Sequence, residues 1–90
     1  MTRNKIVKML LDLNFAFEKH TKNNIVFTKE LSCFAKLKIF VGREEKQIFI
    51  CLSTDNNKVV DVSKNIRFVV AEREIKKAVE FIDNYNRLFN

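Results

Sequence analysis

The chain has 90 residues, 47% of them apolar and 31% charged, and its 17 Lys and Arg against 11 Asp and Glu leave a net charge of +6. Such a composition suits one globular domain over residues 1–90 and excludes a disordered tail. No apolar run approaches the roughly 18 residues of a membrane span, and Asp12 and Asn14 interrupt the stretch behind basic residues 1–8, so a cytoplasmic chain with no membrane partner is expected.

Thr2 is placed to cap a first helix in which Ile6, Met9, Leu10 and Leu13 recur at the spacing of one helical face. The period changes near Asn14, and residues 15–20 and 24–28 read as a hairpin turning at Asn23-Asn24. Residues 29–35 have no clear period and read as a helical turn or an irregular link. Leu37, Ile39 and Val41 then alternate with Lys36, Lys38 and Phe40, a strand pattern that Gly42-Arg43-Glu44-Glu45-Lys46 ends as a hairpin loop. In the next strand Ile48, Ile50 and Leu52 share one face and Phe49 and Cys51 the other; apolar on both sides, it reads as central. Asp55-Asn56-Asn57 reads as a turn, with further strands at 59–62 and 66–70. Ile75, Ala78, Val79, Ile82 and Phe89, with Tyr85, form the stripe of a final helix, with Glu72 and Glu74 in its first turn and Arg87 in its last.

The expected fold is α+β: an N-terminal helix, an antiparallel sheet of four to six strands and a C-terminal helix in a two-layer sandwich. Leu10, Leu13, Ile39, Phe49, Ile50, Phe68, Val79 and Ile82 are the expected core. Cys33 and Cys51, 18 apart in a chain with one histidine, lack the ligands of a zinc site and read as small buried apolar residues; no metal or cofactor is expected. Pro is absent and Gly42 is the only glycine, while Asn, Lys, Phe and Ile supply 39 of the 90 residues. That bias fits an AT-rich genome such as a phage's, and it leaves left-handed backbone positions mostly to Asn and Asp.

The charge is one-sided. Residues 1–43 hold nine basic and three acidic side chains, hence +6, and residues 44–90 hold eight of each. A one-sided basic excess is the footprint of a polyanion binder. Lys19, Lys22, Lys29, Lys36, Lys38 and Arg43 are the candidate nucleic-acid-binding residues, and Phe40, on the strand face of Lys36 and Lys38, could stack on an unpaired base. In the opposing reading these lysines are the wet face of an edge strand and Phe40 is core.

Residues 6–15 (Ile-Val-Lys-Met-Leu-Leu-Asp-Leu-Asn-Phe), Phe17-Glu18-Lys19-His20 and Ile25-Val26-Phe27 resemble the start of HicA-type toxins. Those are small RNA-cleaving proteins folded as helix, three strands and helix, with a histidine between the first two strands. The resemblance implies a role for His20 in RNA cleavage. It covers about 25 residues: the family's Gly-Ser-His run is replaced by Glu18-Lys19-His20, its helix-ending glycine by Asn14, and strands between 47 and 70 exceed that fold. The preferred expectation is a non-enzymatic accessory protein that binds RNA or another polyanion through its N-terminal half, such as a phage-encoded inhibitor of a host defence or toxin. The alternatives are a module that binds a host protein or pairs as a homodimer, and a HicA-like endoribonuclease.

Overall fold

In the computed structural model of the chain, residues 1–32, 35–54, 56 and 58–89 are described, with residues 31–32 and 85–89 described by their backbone alone. The expected turn residues Asp55 and Asn57, the expected burial of Cys33, and the expected roles of the Tyr85, Arg87 and Phe89 side chains lie outside the described residues. The chain runs α1 (Arg3–Asp12), β1 (Ala16–His20), β2 (Asn24–Ser32), β3 (Ala35–Gly42), β4 (Gln47–Thr54), β5 (Val59–Val62), β6 (Ile66–Arg67) and α2 (Phe68–Phe89). This is the expected α+β order, helix, antiparallel sheet, helix.

Both ends of α1 are set by local chemistry. Thr2 Oγ1 accepts the Lys5 amide at 3.3 Å, satisfying one of the amides that a helix start leaves unpaired. At the other end Asn14 adopts φ 68°, Phe15 N donates to Leu10 O at 2.9 Å and Asn14 N to Leu11 O at 3.0 Å. That is a Schellman cap with Asn in the usual glycine position. Gly42 does not have a positive φ, so its requirement is space: a Cβ there would collide with Glu45 O and lie 2.9 Å from Gln47 O.

The strands form a meander in the order β1-β2-β3-β4-β5, each antiparallel to the last, with β6 paired to the start of β4. Between β5 and β6, Ser63 N donates to Ile50 O and Ser63 Oγ accepts from Ile50 N, each at 2.8 Å. The segment from Val59 to Arg67 therefore lines β4 throughout, its side chain substituting for the ladder at the break. Two expectations are corrected here. Residues 29–32 are not an irregular link: β2 continues through them, with Lys29 opposite Leu37 and Glu30 opposite Lys36. Residues 68–70 are not strand: α2 starts at Phe68, which moves Glu72 and Glu74 out of its first turn. The β-branched run 66–70 favours a strand locally, but Phe68, Ala71, Ile75 and Ile82 sit at helical intervals and all are buried in the core, so packing prevails over propensity.

The core lies between the two helices and one face of the sheet: Ile6 and Leu10 of α1, Phe15, Phe27 of β2, Leu37, Ile39 and Val41 of β3, Ile48 of β4, and the α2 residues just named. Leu10, Ile39, Phe68 and Ile82 are buried as expected, while Leu13, Ile50 and Val79 are half-buried against the same cluster. Phe49 is the exception: it sits on the opposite face of the sheet, opposite Phe40. Ile39 is wholly buried at the centre of β3, so Ile39→Ala should cost about 2–5 kcal/mol in a urea melt, and Ile50→Ala measurably less. The reverse order of losses would contradict this placement of the core.

Candidate nucleic-acid interface on the open face of the sheet

Residues directly opposite one another in an antiparallel ladder share a face. The row Phe27–Ile39–Ile50 points at the helices, so the flanking rows point away from them. One runs Lys19–Val26–Phe40–Phe49, the next Ala16–Thr28–Lys38–Cys51–Val62, and the third Glu30–Lys36–Ser53–Val59. None of these residues belongs to the core that the helices pack on, although Val26, Lys38, Cys51 and Ser53 are themselves buried.

Lys19 is exposed, whereas Lys36 is half-buried and Lys38 is 7% exposed. Lys38 can be charged there because Glu18 reaches it, Oε1 at 3.0 Å and Oε2 at 3.3 Å. Glu18 is available because β1 carries a bulge between Phe17 and Lys19, which leaves it outside the pairing. Phe40 and Phe49 stack with centroids 4.4 Å apart and planes 8° from parallel. Both are half-buried. Thr28 Oγ1 and Ser53 Oγ are buried without a hydrogen-bond partner among the described residues. Each stands across from a lysine, Thr28 from Lys38 and Ser53 from Lys36. Cys51 is free and buried; burial pushes its thiol pKa up, Asp61 adds to the rise and Lys38 opposes it.

Lys22 and Arg43 lie at one end of this face. Lys22 is in the β1–β2 turn, and Arg43, just past β3, donates from its amide to Asn23 O at 2.9 Å and from Nη1 to Thr21 O at 3.1 Å. A cavity of about 250 Å³ at the same end is lined by Asn23, Asn24, Gly42, Glu44, Glu45, Gln47, Phe49 and Asn65. Five of the six expected cations thus occupy the open face and its end. Lys29 does not. Its place opposite Leu37 turns it to the helix side, where Nζ donates to Leu13 O at 2.9 Å and lies 5.8 Å from the Phe15 ring centroid. It neutralises the carbonyl end of α1 instead of joining the patch.

Phe49, Thr28, Ser53 and Glu18 were not among the expected site residues. The signal for Phe49 is in the hairpin: a loop at 43–46 that sets Val41 opposite Ile48 necessarily sets Phe40 opposite Phe49. His20 stands opposite Ile25 on the helix side of the sheet edge, exposed, with its ring 5.1 Å from that of Phe17, so it and the lysine rows occupy different faces. Among the described residues no three His, Cys, Asp or Glu side chains converge as metal ligands, and no helix is long and apolar enough to cross a membrane. On the far side of the molecule Lys76 donates to Glu72 at 2.9 Å, which holds that carboxyl below its usual range, in an ordinary exposed pair of α2.

Comparison with protein-family models, with curated proteins and with solved structures yields no match for this chain. The meander of five strands, with β6 beside it, also exceeds the three strands that a HicA-type fold implies.

The two roles assigned to lysines separate in one variant. Lys29→Met should lower stability by roughly 1 kcal/mol, through the loss of a charged cap on α1, and leave binding to any polyanion at the open face unchanged. Thermal melts and a binding titration check this; unchanged stability with weakened binding would return Lys29 to the patch.

Proposed function

We propose that the chain binds single-stranded RNA across the open face of its sheet. The observation that carries this reading is the combination, on the sheet face opposite the helices, of a stacked Phe40–Phe49 pair with Lys19, Lys36 and the Glu18-paired Lys38. Unpaired bases stack on aromatic rings, and the cations that flank such rings meet the phosphates between bases. Lys22 and Arg43 extend the positive surface at the end of the face. A net charge of +6 favours encounter with a polyanion at low salt. The binding is non-catalytic in this account, since His20 faces the other side of the sheet.

The test is a fluorescence titration of a labelled oligouridylate over a range of salt. Each phosphate met by a cation contributes about −0.7 to the slope of log affinity against log salt. Lys19→Glu with Lys36→Glu should weaken binding strongly and flatten that slope by more than one unit, a choice of sites that leaves the Lys38–Glu18 pair intact. Phe40→Ala should cost about 1–3 kcal/mol of binding with the slope unchanged, because stacking releases no counterions. Lys76→Glu with Lys77→Glu, on the balanced surface of α2, should do far less. Equal losses from both charge reversals would mean that net charge alone governs binding, and no binding at low salt by the unmodified chain would dismiss the reading.

A further inference from the structure

The two edges of the sheet are unlike. Both edge strands carry a register shift, between Phe17 and Lys19 in β1 and at Val60 in β5, but β1 has the sequence Ala-Phe-Glu-Lys-His, whose charges discourage another strand from adding to it. β5 is Val-Val-Asp-Val, exposed along its whole length, and has no neighbour on its outer side among the described residues. Val59, Val60 and Val62 are 56%, 62% and 49% exposed. Phe81 of α2, 67% exposed, lines a cavity of about 340 Å³ with Leu52, Asp61 and Ile66, so an exposed aromatic overhangs the same edge on the helix side. An apolar edge of this kind is a template for strand addition.

We infer that a second copy of this chain adds to β5, antiparallel, so that two sheets join into one across a twofold axis. The charges of the segment argue for that occupant. In the register centred between Val59 and Val60, Val59 faces Val60 of the second copy, and Lys58 faces Asp61 of the second copy, twice by symmetry. Opposed residues must share a face, and Lys58 and Asp61 do so because the register shift at Val60 adds a residue between them: Asp61 pairs with Leu52 on the helix side, and Lys58 precedes Val59, which pairs with Ser53 on the open side. The segment thus complements itself in both apolar and charged positions, the requirement of an isologous interface. An axis perpendicular to the sheet puts both open faces on the same side and brings the two Phe81 side chains to the helix side of the joint. The inference does not rest on RNA binding, and salt separates the two: screening the +6 of each copy favours pairing and disfavours RNA.

Sedimentation equilibrium of the unmodified chain over a range of concentration, at moderate salt and without RNA, tests the inference. A monomer–dimer equilibrium between 10.7 kDa and twice that mass is expected, tightening as salt rises. Lys58→Asp and Asp61→Lys should each weaken the dimer about tenfold or more, because each sets like charges opposite one another at two places. The double variant Lys58→Asp with Asp61→Lys restores both pairs and should restore the dimer. Both positions are exposed, and a far-ultraviolet circular dichroism melt confirms that each variant is folded. A monomer at every concentration, an open series of larger oligomers, or a dimer indifferent to the single reversals would each overturn the inference.

Discussion

A strand sends alternate side chains to opposite faces, so seating Phe27, Ile39 and Ile50 under α1 and α2 commits Thr28, Lys38 and Cys51 to the other side. A slip of one residue in any of these pairings would put lysines into the core and isoleucines into solvent. The rest of the molecule serves that register. The Schellman cap at Asn14 and the Lys29 contact to Leu13 O end α1 where the chain must turn into β1. At the opposite end Arg3 Nε donates to Gly42 O at 2.6 Å and its guanidinium lies 5.5 Å from the Phe68 ring centroid. One side chain thereby ties the start of α1, the end of β3 and the start of α2.

The cost of this arrangement falls on the open face. Lys38 is nearly buried, and a buried charge is tolerated only with close partners. The bulge in β1 supplies one by freeing Glu18 to cross β2. Two hydroxyls remain without partners among the described residues, each worth about 1–3 kcal/mol of lost solvation. Departures of this kind from satisfied polar burial concentrate at functional surfaces. They fall here on the rows that also carry the lysines and run alongside the stacked phenylalanines, which is why this face rather than the balanced surface of α2 is the proposed interface.

Much of the fold is legible in the residues. The spacing of Ile6 and Leu10, the alternation at 36–41 and the capping by Thr2 each follow from a period or a hydrogen-bonding habit, and the general expectation that Asn and Asp replace glycine at left-handed positions is met at Asn14. What is not legible is what depends on partners distant in sequence. Lys29 to Ser32 have no period of their own and become strand because residues 35–37 lie beside them. Ile66 to Val70 have strand propensity, and only the packing of Phe68 against the core makes its second half helical. The site divides the same way. Lys36, Lys38 and Phe40 share a face by period alone, but the exclusion of Lys29 needs the register of β2 on β3, and Glu18 needs a bulge that no local pattern announces.

Assignment of the open face is tested most directly by nuclear magnetic resonance of the isotopically labelled chain titrated with a short oligouridylate at low salt. The account predicts shift changes centred on Lys19, Thr28, Lys36, Lys38, Phe40 and Phe49, extending to Lys22 and Arg43, with the amides of α1 and α2 left in place. Changes centred on the helices, on Lys29 or around His20, with the Phe40–Phe49 pair undisturbed, would contradict it.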